Sequence, residues 1–189
     1  GCEDTYMAYL PLAHIMEVAA EITFITMGSA MGFGNPHTLL SRGDASKKLY
    51  EGCIGDAPCL QPTFMVFPPA VLDKIYKAAK MQAANLGAIS RTIFNWGMNS
   101  GERRFERGLV GANSFYNGIV FKKTQALVGG RLKGMIAGSA PLSPEVQKFV
   151  QTIMNAPVRQ GYGLTETTAA SCLTFWGDNT LRQVGPRSF

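Results

Sequence analysis

The run Gly161-Tyr162-Gly163-Leu164-Thr165-Glu166-Thr167, preceded by Gln160, holds the densest chemistry in this sequence. It opens like a dinucleotide-binding turn, in which glycines let the backbone approach a pyrophosphate, but Glu166 stands where the third glycine belongs. A carboxylate there repels a bare pyrophosphate. It becomes favourable when a divalent cation lies between them, because magnesium is held by one or two carboxylates together with phosphate oxygens. Thr165 then offers a hydroxyl to a phosphate, and Tyr162 a ring face to a purine. The same residues also fit a solvated first-turn acid with Thr165 or Thr167 as a cap. A second loop, Gly138-Ser139-Ala140-Pro141-Leu142-Ser143, has small residues that admit a flat ligand against the backbone. A helix opening at Pro144 would turn its positive end toward that ligand. A tight strand-to-helix turn with a cap explains these residues too. His14, after Leu10-Pro11-Leu12-Ala13, is a third candidate, with a backbone-bonded structural histidine as the alternative.

Strands must end at these loops and helices must begin from them. A short apolar segment over 5–12 predicts a strand, and Ile15, Val18, Ile22 and Ile25 recur at helical spacing after it. Residues 30–33 return as a strand. The apolar run 63–67 is stopped by Pro68-Pro69, and Leu72, Ile75, Tyr76, Ala79 and Ala83 then share a helical face. From 85 to 117 the pattern weakens to a helical excursion carrying Ile89, Ile93 and Trp96. Tyr116, Ile119, Val120 and Leu127 predict another helix, ended by Gly129-Gly130, where a left-handed residue suits glycine. Residues 132–137 read as a strand. Ser143-Pro144-Glu145 supplies an N-cap, a first-turn proline and a first-turn acid for a helix burying Val146, Phe149, Val150 and Ile153. Residues 158–162 read as the next strand. Repeated strand-helix-strand units predict an α/β fold with a mostly parallel β-sheet flanked by helices, in which ligands bind beyond the carboxyl ends of the strands.

Composition narrows the function classes. The 189 residues carry 18 Lys plus Arg against 13 Asp plus Glu, and 46% are hydrophobic, which is the arithmetic of a globular domain. The net charge of +5 needs a clustered basic face to indicate nucleic acid. Only Arg103-Arg104-Phe105-Glu106-Arg107 and Lys122-Lys123 are dense, and a solvated face accounts for both. No nucleic-acid partner is expected. Cys2, Cys53, Cys59 and Cys172 lack metal-ligand spacing and read as free thiols in a reducing compartment. The uncharged run 22–41 contains Gly28, Gly32, Gly34 and Pro36, so it reads as buried helix, turn and strand and not as a membrane span. Gly1 at the start, a core strand a few residues later, and the absence of a terminating element near Phe189 suggest a piece of a larger protein.

Taken together, the motifs resemble those of the adenylate-forming, AMP-binding enzymes. The segment 160–167 resembles their core motif; Leu10-Pro11-Leu12-Ala13-His14 and 138–143 resemble two more. Among the branches, the eukaryotic-type long-chain fatty-acid CoA ligases are the most similar. Their pattern is echoed in Pro69-Ala70-Val71-Leu72-Asp73-Lys74-Ile75-Tyr76 and Gly130-Arg131-Leu132, and Glu17 after the His14 motif favours that branch. The resemblance is weakest from 83 to 114.

It implies a two-step reaction. A fatty-acid carboxylate attacks the α-phosphate of ATP to give an acyl-adenylate and pyrophosphate, and the thiol of coenzyme A takes the acyl group. By this resemblance Gly138, Ser139 and Ala140 lie against the adenine, with Pro141, Gln160, Gly161 and Gly163 in the same binding set. Tyr162 stacks on the base, Thr165 contacts the α-phosphate, Glu166 holds Mg2+, and His14 lies near the acyl carboxylate. Fatty acid, ATP and CoA are the small-molecule substrates. Trp96, Phe64 and Phe67 are candidates for an acyl tunnel or for core packing, and His37 has no assigned role. Val18 stands where bacterial relatives place an aromatic gate, so no gate is carried over. Residues 1–189 are then expected to be part of the N-terminal domain, inactive alone, with the Ser/Thr/Gly-rich phosphate loop and the small C-terminal domain outside this chain. Membrane association through parts outside the chain, and the cytosolic face of the endoplasmic reticulum, peroxisome or outer mitochondrial membrane, are further expectations of the resemblance. Adenylation of another carboxylate and a noncatalytic nucleotide-binding module are the rivals.

Overall fold

A computed structural model describes residues 3–40 and 54–186. Cys2 and Cys53 and the chain end at Phe189 lie outside the described residues; Cys59 and Cys172 are free thiols. The elements in chain order are β1 (Thr5–Ala8), α1 (Ile15–Thr26), β2 (Ala30–Phe33), α2 (Asp56–Leu60), β3 (Phe64–Phe67), α3 (Pro69–Ala84) and α4 (Ala88–Glu106). They continue with α5 (Ser114–Tyr116), α6 (Lys122–Gln125), β4 (Gly134–Ala137), α7 (Pro144–Met154), β5 (Val158–Tyr162) and β6 (Cys172–Leu173).

The strands form one sheet in the order β2-β1-β3-β4-β5-β6. The first five are parallel and β6 runs antiparallel to β5. From β1 the chain crosses outward to β2, then returns past β1 to β3 and continues the other way. Parallel crossovers are right-handed, so reversing their direction puts their helices on opposite faces. Accordingly α1 covers one face, where Tyr6, Ala8, Phe24 and Val66 pack together. The other face carries the larger core, in which Met7, Met65, Phe67 and Met135 meet Leu72 and Ile75 of α3 and Val150 and Ile153 of α7. Successive strand residues alternate between the two cores, as a period of two requires.

Several expectations from spacing change in the fold. Ile22 and Ile25 of α1 are exposed, and the helix meets the sheet instead through Glu17, Ala20 and Phe24. Tyr6 decides this, because Phe24 stacks on its ring at 4.5 Å and the Tyr6 hydroxyl donates to Glu17 Oε2 at 3.1 Å. The uncharged run after Ile22 is therefore helix, turn and strand as read, but only partly buried: Phe24 and Leu39 enter the core while Met27 and Phe33 are exposed. No described helix is long and apolar enough to cross a membrane. The helix expected from Tyr116 to Leu127 is broken into α5, a π-helical turn (Asn117–Phe121), α6 and a 3-10 turn (Ala126–Val128). Asn117 donates to Ala112 O and to Asn155 Oδ1, and Phe121 is driven fully into the core against Phe94. Gly129 ends this segment at φ 92°, where its missing side chain also lets Gln61 approach. Ser143 occupies the N-cap position of α7 without a side-chain capping bond.

Candidate functional site

The carboxyl ends of β1, β4 and β5 deliver the three candidate loops to one edge of the sheet. Between β1 and β4 lies β3, which turns at once into α3 on the opposite face. Over this gap His14 and Ser139 meet: His14 Nε2 and Ser139 Oγ are 3.2 Å apart. His14 is also the N-cap of α1, where its Nδ1 accepts from the Met16 amide at 3.3 Å. An accepting Nδ1 leaves the ring proton on Nε2, so His14 donates to Ser139 Oγ. Ser139 donates in turn to Met16 Sδ at 3.8 Å. Capping and site geometry are thus one arrangement, since the bond that starts α1 also sets the tautomer and direction of the imidazole.

Backbone conformation on the β4 loop is specialised. Ser139 sits at φ 73°, a left-handed value that costs a non-glycine residue on the order of 1 kcal/mol. A Cβ on the preceding Gly138 would come within 2.9 Å of Met16 Sδ, so glycine lets the loop lie directly against α1. The loop after β5 is held by its own turns. Thr167 Oγ1 accepts from the Leu164 amide at 2.8 Å, and the Ala169 amide donates to Leu164 O at 3.1 Å. A Cβ on Gly163 would meet Ala169 O at 2.0 Å, which no side chain tolerates. Thr167 therefore serves as the local cap, leaving Thr165 and Glu166 exposed at the loop's outer side.

These loops form the rim of a cleft of about 760 Å³, within the range of small-molecule sites. His14, Gly138, Ser139, Gly161, Gly163, Thr165 and Glu166 line it. Its interior is apolar: Met16, Phe24, Phe64, Val66, Ile136 and Trp176 come from α1, the central strands and the segment after β6. The site is therefore polar at the rim and largely apolar in depth.

Four of the residues singled out by sequence do not line this cleft. Ala140 and Pro141 lie beyond Ser139, and Tyr162 exposes its ring outside the cavity. Gln160 is buried on the other side of β5, where its amide donates to Gln147 Oε1 at 2.8 Å. There it belongs to a network in which Gln147 donates to Val158 O and Gln151 accepts from the Val158 amide. Of the aromatic candidates, Phe64 lines the cleft, Phe67 is fully buried in the opposite core, and Trp96 is exposed on α4.

One contributor, Trp176, was not singled out from sequence, and neither was the burial of Glu17, which stands behind the cleft lining. Trp176 lies against Phe64 with ring centroids 5.8 Å apart, held in place by Arg159, which donates to the carbonyls of Trp176 and Asp178. Burial lowers the Arg159 pKa, and Asp178 opposes that shift. Nothing near Trp176 signals a strand-helix unit, so only the fold links it to the site. Glu17, three residues after His14, is fully buried; burial pushes its carboxyl up to about 7, against the opposing bond from Tyr6.

As to metal, no cluster of three or more His, Cys, Asp or Glu occurs among the described residues. Glu166 is a single exposed carboxylate beside the Thr165 hydroxyl. This donor set fits magnesium only where phosphate oxygens complete the coordination sphere.

The architecture and this cleft define an α/β domain whose strand-end loops border an apolar trough. Residues 1–187 match the family model described as AMP-binding enzyme, and the chain belongs to that family. It is 39% identical over 187 residues to "Long chain acyl-CoA synthetase 8" of Arabidopsis thaliana, covering 97% of this chain and 26% of that protein. It is 36% identical to "Long-chain-fatty-acid--CoA ligase 2" of Schizosaccharomyces pombe, over 89% of this chain and 23% of the relative. The chain thus spans about a quarter of the length of these relatives. Among solved structures, the inhibitor-bound N-terminal domain of FACL13 from Mycobacterium tuberculosis aligns with a TM-score of 0.54 at 16% identity, covering 98% of this chain and 33% of that one. Unliganded O-succinylbenzoate coenzyme A synthetase of Bacillus subtilis aligns with a TM-score of 0.53 at 14% identity, covering 99% and 28%. At these identities the structural likeness bears on the fold.

Proposed function

We propose that this chain forms the part of a long-chain fatty-acid CoA ligase that receives ATP and the acyl chain. The observation that carries the reading is the cleft itself, in which a rim carrying donors and Glu166 joins a largely apolar interior, with Asp4 also on its lining. An aliphatic chain in the trough would gain about 0.8 kcal/mol per buried methylene. Its carboxylate would then lie at the rim, near the donors His14 and Ser139. Bringing carboxylate and α-phosphate together in one orientation supplies much of the rate, because the attacking oxygen needs no covalent help from the protein.

The reaction transfers AMP. The carboxylate oxygen bonds to the α-phosphorus as its bond to pyrophosphate breaks; the CoA sulfur then bonds to the acyl carbon and AMP leaves. Charge on the phosphates would be offset by Mg2+ held by Glu166 together with phosphate oxygens. Thr165 and Ser139 would donate to phosphate oxygens, and His14 Nε2–H would donate to the acyl carboxylate, exchanging its bond to Ser139 for one to substrate. Trp176 and Phe64 would keep water from the trough. The sequence similarity to long-chain ligases supports this assignment of substrate.

The test uses a full-length protein containing this segment, assayed for fatty-acid-dependent pyrophosphate release across magnesium concentrations. Glu166→Gln is expected to raise the magnesium requirement and lower the rate. Release of pyrophosphate by the variant at the unaltered rate and magnesium dependence would remove Glu166 from its role, and acceptance only of aryl or short acids would overturn the substrate.

A further inference from the structure

His14, the donor assigned to the acyl carboxylate, stands at the start of α1, and a buried acid one turn further on ties that start to the sheet. We propose that Glu17 is a positioning residue: bonded to Tyr6 beneath the first turn of α1, it holds the imidazole of His14 at the angle from which Nε2–H meets the acyl carboxylate. This role rests on the ligase reading above and belongs to a residue that touches no substrate.

The path between the two residues is short and bonded throughout. Tyr6 on β1 is fully buried, with its ring stacked on Phe24 at 4.5 Å. Its hydroxyl donates to Glu17 Oε2 at 3.1 Å. The Glu17 amide donates to His14 O at 2.9 Å, and His14 Nδ1 accepts from the Met16 amide at 3.3 Å. Each link from the sheet to the ring is therefore directional, and residues three apart share a helix face. A glutamate at this third helical position ordinarily reaches back to bond the N-cap amide. Here the His14 amide already donates to Pro11 O at 2.9 Å, and the carboxyl turns to the sheet instead.

The place is costly for an acid. Glu17 is fully buried beside the apolar cluster that contains Tyr6 and Phe24, and its Oε1 has no hydrogen-bond partner. A leucine would fill such a place without that cost, but an aliphatic contact can slide where a hydroxyl-to-carboxyl bond fixes a direction. Direction is what the His14 donor needs, since a misplacement of about 1 Å can cost about a hundredfold in rate. Ionisation acts on the same contact. Burial pushes the carboxyl up to about 7, opposed by the Tyr6 hydroxyl and the Tyr9 and Leu10 backbone, with Glu21 adding to the rise. Tyr6 and Tyr9 from β1, and Glu21 and His14 from α1, are the titratable groups around it among the described residues. A charged Glu17 regains water only if the first turn of α1 lifts from the sheet, which draws His14 off its line.

A full-length protein containing this segment is assayed for fatty-acid-dependent pyrophosphate release, with kcat and the KM for ATP measured separately. Tyr6→Phe removes the donor and keeps the ring; it should lower kcat on the order of tenfold and leave the KM for ATP unchanged. Added to His14→Ala, the same change should alter kcat by less than about twofold, because the group it acts through is gone. Glu17→Gln keeps an acceptor for Tyr6 and loses the titration. The ratio of parent to Glu17→Gln kcat should fall about fivefold between about pH 6 and 8, as expected of a carboxyl at about 7 whose ionisation costs that same tenfold. This ratio decides the case if Tyr6→Phe is too unstable to assay. Parental kcat in Tyr6→Phe, an equal loss with and without His14, or a ratio independent of pH overturns the role of Glu17 and leaves the ligase reading standing. A parent that releases no pyrophosphate with any fatty acid overturns both.

Discussion

Burying Glu17 makes the stability of the α1–β1 contact depend on pH in a direction unusual for a carboxylate. Its folded value of about 7 stands above its ordinary 4.5, with burial as the main cause and Glu21 adding repulsion. The folded chain therefore holds this proton where the unfolded chain has released it. Stability linked to Glu17 is complete below about pH 4.5, falls as pH rises, and is lost above about 7. The loss amounts to roughly 3 kcal/mol, from 1.36 kcal/mol per pH unit over the interval between the two values. Glu17→Gln removes the titration while its side-chain oxygen still accepts from the Tyr6 hydroxyl. The amide brings two N–H donors in place of the single O–H of the protonated acid, so the absolute stability of the variant is offset by a pH-independent amount. What identifies the mechanism is the difference between the two proteins across pH. Urea unfolding between pH 4 and 8 should show the parent losing about 3 kcal/mol relative to Glu17→Gln, equivalent to roughly 6–12 °C in Tm for a chain of this size. Parallel profiles would refute the reasoning, and a parent that gains stability relative to the variant as pH rises would show that the carboxylate is charged and paired in the fold.

Other consequences are as direct. Gly163→Ala forces a Cβ onto the Ala169 carbonyl, so it should abolish adenylate formation while circular dichroism and the unfolding midpoint change little, because only the exposed loop must move. His14→Ala removes both the α1 cap and the Nε2–H donor; a cap loss of about 1 kcal/mol should appear in unfolding, with a separate fall in kcat on long-chain acids. Gly134→Ala drives against the Trp176 ring and should raise KM for long acids more than for short ones, measured as a chain-length series. In the parent that series should show KM falling by about fourfold per methylene until the trough is filled.

Alternation of strand and helix was legible because parallel strands buried on both faces read as short apolar runs, and α3 and α7 show a clean helical stripe. Helix α1 was legible as a helix but not in its orientation. Its isoleucines outnumber its buried residues, and only the partner Tyr6 on β1 reveals that Glu17 and Phe24 face inward. The segment 114–128 was legible only at its glycine end, because Asn117 diverts the chain through contacts to residues far along it.

For the site, residue types and spacing along the chain pointed to Ser139, Thr165 and Glu166, because glycine-rich turns, hydroxyls and a lone acid have local chemical meaning, whereas His14 rested on the resemblance of its motif. Tertiary structure decided which of them face one cavity. It brought His14 to Ser139 across β3, turned Gln160 away into the α7 core, and added Phe24 and Trp176 to the trough. Such choices depend on crossover handedness and on which side of a strand a residue falls, and these are properties of the assembled sheet that no run of neighbouring residues contains.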